Sequence, residues 1–150
     1  MAREAAAASH SVIDRAEFMM GRDVTHALEC TPDILRNAAR TVEIVNAMLA
    51  LAKGAGVPII PRPDGKLVNS GWRPPSVNAA TPGAATRSLH MTGEACDLHD
   101  PKGHLATWAE ISANTVLRDL GLWMEAPAKT KGWLHVQTRS PRSGARVFWP

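Results

Sequence analysis

Residues 31–53, TPDILRNAARTVEIVNAMLALAK, constrain the fold more than any other part of the chain. Thr31 is a helix-capping residue type, Pro32 suits a first helical turn, and Asp33 favours the positive end of a helix. Leu35, Ala38, Val42, Val45, Leu49 and Ala52 recur on one face, and Gly54 and Gly56 end the run. A helix of this kind has to bury its apolar stripe against a second layer. The 150-residue chain has room for one domain with a real core and is short for two of ordinary size.

The second layer reads as a sheet. VPII (57–60) and KLVNSG (66–71) are short extended pieces separated by the turn material PRPDG, and they predict a sheet edge. WLHVQT (133–138) alternates, with Trp133, His135 and Gln137 facing one side and Leu134 and Val136 the other. Between them, HLATWAEISANTVLRDLG (104–121) predicts a second helix with Leu105, Trp108, Ile111, Val116 and Leu120 as its apolar stripe, ending near Gly121. GWRPPSVNAATPGAATRSLH (71–90), interrupted by Pro74, Pro75, Pro82 and Gly83, reads as a long ordered surface loop. The alanine-rich stretch 2–20 is expected to be helical in part. No internal repeat divides the chain, and the fold class is α+β.

Composition excludes several functions. With 45% hydrophobic and 21% charged residues the chain is neither disordered nor, lacking a long apolar run, expected to insert in a membrane. Lys and Arg total 17 against 14 Asp and Glu, an excess too small and too interspersed to predict nucleic-acid binding, though it suits an anionic polymer such as bacterial wall material. Neither a GxxxxGK loop nor a GxGxxG fingerprint occurs. Cys30 and Cys96 lack CxxC spacing and fit a reducing compartment at least as well as a disulfide. The first residues lack the apolar centre of a signal peptide.

The chemistry concentrates in SLHMTGEACDL (88–98), where His90 supplies an imidazole and Asp97 a carboxylate, with Gly93 allowing an unusual turn between them. His135, on its strand, offers a third ligand. A His, Asp, His set leaves a position open on zinc, which lowers the pKa of bound water to about 7 and polarises a carbonyl. On composition alone, six histidines also admit the blander reading of unrelated side chains. His99 and His104 read as ordinary surface residues, Cys96 as a buried apolar residue pointing away from Asp97, and Trp72 and Trp133 as walls of a cleft, with core packing as the alternative for Trp133.

Ser88, His90, Gly93, Ala95 and Asp97 match the SxHxxGxAxD signature, and on these residues the chain resembles the zinc D-alanyl-D-alanine carboxypeptidases and related peptidoglycan peptidases. WLHVQ resembles the third-ligand strand of that family and GWRPP its upstream arginine motif; the likeness runs from Phe18 to the C-terminus and looks closest to small phage-associated members. The resemblance implies a compact α+β fold with a small antiparallel sheet and packed helices, spanning 18–150 after a flexible or helical extension over 1–17. It implies that His90, Asp97 and His135 bind zinc, that Arg73 binds substrate and stabilises the oxyanion, and that Ser88 orients the site or the substrate. A solvated charge or salt bridge is the alternative for Arg73, and a role in the local turn the alternative for Ser88. Many relatives carry an acid three residues before the last histidine; here that position is Gly132. Glu125 is the nearest upstream glutamate, brought back by the loop APAKTKG as the candidate general base, ahead of Glu94, Asp119 and Glu110.

The implied activity is zinc-dependent hydrolysis of an L,D or D,D bond in stem peptides or crosslinks of peptidoglycan, by a carboxypeptidase or endopeptidase. A phage-type lysin fits the missing export signal: cytoplasmic before release, then acting in the periplasm or wall after membrane permeabilisation, or carried on the virion. The competing reading is a zinc-containing peptidoglycan-binding or virion structural protein that has lost hydrolysis with the acid at 132.

Overall fold

In the computed structural model residues 12–150 are described; residues 1–11, with most of the alanine-rich stretch and much of the expected 1–17 extension, lie outside the described residues. Asp14 opens the first helix, α1 (Arg15–Met19), by accepting the amide of Glu17, and Met20 closes it in a left-handed conformation. Phe18 and Met19 are buried, and the Glu17 carboxylate accepts the amides of Leu67 and Val68, which ties α1 to the edge of the sheet. Ile13 is anchored to the side chain of Asn46 through both its N–H and its C=O. A short α2 (Arg22–Thr25) leads to the long helix α3 (Pro32–Gly54).

Helix α3 begins as its sequence predicts, with the Thr31 hydroxyl accepting the amide of Ile34 and Pro32 in the first turn, where a missing N–H costs nothing. Its fully buried positions are Ala38, Thr41, Val45, Met48, Leu49 and Ala52, whereas Leu35 and Val42 are half-buried. The face is therefore rotated to include Thr41, whose hydroxyl donates to the Gly93 carbonyl at 2.7 Å and so enters the core with its polar group satisfied.

The five-stranded sheet has the order β1-β2-β4-β3-β5, with β1 Val68–Ser70, β2 Ala95–His99, β3 Trp123–Glu125, β4 Trp133–Gln137 and β5 Val147–Phe148. The β1·β2, β2·β4 and β3·β4 pairs are antiparallel, but β5 runs parallel to β3, so the sheet is mixed rather than wholly antiparallel as expected. Topology gives the reason. Both edges of β4 are occupied by β2 and β3, so the returning chain adds at the free edge of β3, antiparallel in direction to β4 and hence parallel to β3. Cys96, Leu98, Met124, Leu134 and Val136 form the buried face of the sheet, in one core with Val45, Met48 and Leu49 of α3. VPII does not join the sheet; Pro58 and Pro61 lack ladder donors, and Val57 and Ile59 pack against the core instead.

Two further expectations are corrected. The 71–90 segment contains a helix, α4 (Pro75–Ala80), and ends in a 3-10 turn over Leu89–Thr92. Its prolines, read as breakers, start α4: Pro75 occupies a first-turn position. The second long helix is three pieces, α5 (His104–Ile111), a π-turn (Ala113–Leu117) and α6 (Arg118–Leu120), closed by left-handed Gly121. Leu105 and Ala109 are buried and Ile111, two residues beyond Ala109 on the opposite side of the same helix, is 80% exposed; the π-turn that follows brings Ala113 and Leu117 to the buried side in place of Val116. Both cysteines are free, and burial pushes the Cys96 thiol pKa well up, as befits an apolar core residue.

Candidate metal centre

Strand register assembles the centre. Asp97 on β2 lies directly across from His135 on β4. The β3·β4 pairs Trp123–Gln137 and Met124–Val136, continued one step, set Glu125 across from His135 on its other side. β1 adds Ser70 beside Asp97, and β5 adds Phe148 beside Glu125. Directly opposed residues share a face of a sheet. Ser70, Asp97, His135, Glu125 and Phe148 thus form one row across all five strands, on the face away from α3.

His90 reaches this row from the 3-10 turn. Ser88 caps the turn through an Oγ that accepts the His90 amide at 3.2 Å, and Gly93 closes it at φ +76°. A Cβ at Gly93 would lie 3.2 Å from the Ile34 carbonyl and 3.3 Å from the Ala38 nitrogen. Glycine is required there twice over, for the left-handed turn and for its seat on α3. The result places one ligand atom each of His90, Asp97 and His135 within 4.8 Å of one another. His90 Nε2 is 3.2 Å from Asp97 Oδ2, and His135 Nδ1 is 2.8 Å from Asp97 Oδ1.

The outer hydrogen bonds decide what this group can hold. His90 Nδ1 lies 2.8 Å from the Gly71 carbonyl, an acceptor only, so it carries the hydrogen, and in a neutral ring Nε2 is the lone-pair nitrogen on the side of Asp97. Gln137 Nε2 donates to the Arg139 carbonyl, leaving Gln137 Oε1 to accept from His135 Nε2 at 2.9 Å. In a neutral ring, His135 Nδ1 is then the lone-pair nitrogen. Two imidazole lone pairs and a carboxylate converge with no donor among them, which calls for a cation between them: a proton or a metal. The nitrogen and oxygen donors suit zinc, and the second-nitrogen partners are those that orient metal-binding histidines. Burial works to raise the Asp97 pKa, but hydrogen bonds and charge from His135 and His90 prevail and hold it well below the usual carboxylate range. Burial likewise works to lower the pKa of His135, and Asp97 more than offsets it, raising it above the ordinary value.

The centre forms the floor of a cleft of about 610 Å³ whose lining includes Arg73, Ser88, Glu125 and Trp133. Arg73 Nε donates to Asn78 Oδ1 at 2.9 Å and its Nη2 to Ser88 Oγ at 3.2 Å, while its amide donates to the His90 carbonyl. The guanidinium is thereby aimed and tied to the same turn that carries His90. Burial holds the Glu125 carboxyl above its ordinary pKa, partly offset by the neighbouring His135.

A family model described as peptidase M15 matches residues 23–137, a span that holds Arg73, Ser88, His90, Asp97, Glu125 and His135. The chain belongs to the peptidase M15 family. No curated protein and no solved structure matches it. Peptidases of this family are zinc-dependent, and this chain is a zinc metallopeptidase by membership, with a His, Asp, His group of the composition that zinc takes.

In this M15 peptidase the structure gathers Arg73, Ser88, His90, Asp97, Glu125 and His135 around one cleft. The other acids are elsewhere engaged: Glu94 accepts from Arg139 at 2.9 Å and Asp119 from Arg118 at 3.0 Å, while Glu110 is exposed on α5. Gly132 has φ +92°, a backbone disfavoured for an acidic side chain. Trp133 lines the cleft, but Trp72 does not; it is fully buried, its Nε1 donating to the Met91 carbonyl. Three contributors went unassigned in the sequence reading. Gln137 was legible, since it alternates onto the face of His135. Asn78 is hidden in a segment read as loop, and Gly71 stands in the GWRPP motif with nothing local to show what its carbonyl does.

Gly71 is expected to be intolerant of any side chain. A Cβ there would lie 2.0 Å from the Phe18 carbonyl oxygen, backbone against backbone, and the Gly71 carbonyl is the group that sets the His90 tautomer. Gly71→Ala should cost about 2–3 kcal/mol in a denaturant melt. Zinc affinity should fall about 10–100-fold with it, as for other second-nitrogen partners. Wild-type affinity in the variant would show that the contact with α1 is dispensable.

Proposed function

We propose that this M15 peptidase hydrolyses L,D or D,D peptide bonds in bacterial peptidoglycan stem peptides or crosslinks, as a phage-type lysin. The observation that carries the reading is the cross-strand row: Asp97 and His135 for the metal and Glu125 next in line, inside a cleft where Arg73 is held by Asn78 and Ser88. His90, Asp97 and His135 would hold zinc, which supplies Lewis-acid polarisation of the scissile carbonyl and acidification of the attacking water. Glu125 accepts the proton of that water as the new C–O bond forms, and delivers it to the amine nitrogen as the C–N bond breaks. Arg73 donates to the developing oxyanion, a charge its own guanidinium always complements. Ser88 keeps Arg73 and His90 in register through its single hydroxyl. In that role the protein would pass from cytoplasm to periplasm or wall after membrane permeabilisation. Among the described residues no helix is long and apolar enough to cross a membrane.

Zinc-loaded protein incubated with purified peptidoglycan should release new amines, with peptide masses that identify the bond and separate carboxypeptidase from endopeptidase products. Chelation should stop release and returned zinc should restore it. Binding to the wall without new termini at high protein concentration would favour the non-catalytic wall-binding or virion structural protein instead.

A further inference from the structure

Three guanidinium groups line the cleft, those of Arg73, Arg87 and Arg139, and they differ in what neutralises them. Arg73 is held by Asn78 and Ser88. Arg139 is paired with Glu94 at 2.9 Å. Arg87 is exposed and, among the described residues, has neither a hydrogen-bond nor an ion-pair partner. The two side-chain carboxylates of the lining do not serve it: Asp97 is engaged by His90 and His135, and Glu125 stands beside His135. A divalent cation held by His90, Asp97 and His135 would add to this excess, and a cleft of this charge attracts anions.

The backbone that carries Arg87 is held in place. Its neighbour Ser88 bonds Arg73 and the His90 amide through its hydroxyl, and the Ser88 amide donates to Ala85. The Ala85 carbonyl in turn accepts from the buried Asn78 side chain at 3.0 Å. An uncompensated guanidinium is therefore mounted on a pinned stretch of backbone, three residues from a metal-site histidine, in the wall of a peptidase cleft. Its planar fork matches a carboxylate.

We infer that Arg87 binds a free carboxylate of the substrate beside the scissile bond, so that the enzyme selects acidic stem peptides over the same peptides with that carboxylate amidated. The inference rests on the peptidoglycan reading for the identity of the peptide, and the test separates the two. Two synthetic stem peptides, identical except for carboxylate or carboxamide on the acidic residue next to the scissile bond, are titrated by calorimetry into zinc-loaded Glu125→Gln protein, with mass spectrometry verifying that they stay intact. The acid should bind about five- to tenfold more tightly than the amide, the scale of one newly covered charge-assisted pair. Arg87→Gln in the same background should bring the ratio to within about twofold, and Arg87→Lys should keep part of it, because a point charge remains without the fork. Arg139→Gln should leave the ratio intact, since Glu94 already satisfies that charge. Equal affinity for the two peptides, failure of both to bind, or a preference that survives Arg87→Gln would overturn the inference. A preference intact in binding, with no cleavage of either peptide by the wild type, would overturn the hydrolytic reading and leave the carboxylate subsite standing.

Discussion

Glu125→Gln is expected to lower peptide turnover by about 10²–10⁴-fold, the usual weight of a positioned general acid–base group, while zinc content stays at the wild-type level. The substitution keeps the size of the side chain and its hydrogen-bonding reach but removes its capacity to take a proton. Its position makes the expectation specific. Glu125 and Asp97 are the side-chain carboxylates of the cleft lining, and Asp97 is held ionised between two imidazoles as a ligand, which leaves Glu125 for proton transfer. Burial raises its pKa, making it a better proton acceptor than a surface glutamate. Amine release measured against zinc content separates loss of the base from loss of the metal. Asp119→Asn, which touches only a surface pair with Arg118, should change neither. Full turnover by Glu125→Gln would assign the proton transfer to another group and remove the argument that a neighbouring strand replaces the acid missing at Gly132.

The parts of this site that were legible in the sequence are those governed by local rules. Alternation along 133–137 put His135 and Gln137 on one face, and the Thr31–Pro32 start of the long helix followed from capping chemistry. Glu125 was reachable only as the nearest glutamate, because a three-residue strand is too short to show a period and its place beside His135 depends on a register set across the sheet. Gly71 illustrates the limit further: its necessity comes from the Phe18 carbonyl on a different element, a contact no spacing rule contains. Thr41 and Ile111 depart from a simple apolar stripe for a related reason. A polar residue enters the core because the Gly93 carbonyl meets it, and an apolar one is left at the surface because the helix buries the side of Leu105 and Ala109, which Ile111 faces away from. Prolines 74 and 75 carried the right information, a boundary, but not its sense, since the same residue type ends one element and starts the next.

Loss of the His135 imidazole should weaken zinc binding by more than about 100-fold, beyond the 10–100-fold typical of removing an outer partner, and abolish metal-dependent hydrolysis. Gln137→Ala, which frees His135 Nε2 without removing a ligand, should fall within that smaller range. The pH dependence follows from what occupies the group in the absence of metal. His135 has its pKa raised above 6.5, and the proton it retains sits on the nitrogen that a metal would need. Zinc must displace that proton, so affinity should fall by about tenfold per pH unit below the folded-state pKa of His135 and level off above it. Calorimetry in two buffers of different ionisation enthalpy would show the released proton. Stability moves in the opposite sense in the metal-free protein. The contribution of His135, with its raised pKa, is fully present below 6.5 and is lost as pH rises through the higher folded value. That of Asp97, with its depressed pKa, is present above 3.8 and is lost as pH falls through the lower folded value. The metal-free pair therefore stabilises most between those limits, whereas the zinc-loaded protein gains as protons leave. Thermal midpoints of the two forms should diverge as pH rises from 5 to 8, on the order of the affinity change itself. A gap that stays constant over that range would mean that zinc does not compete with the His135 proton, and that the ligand assignment of His135 is wrong.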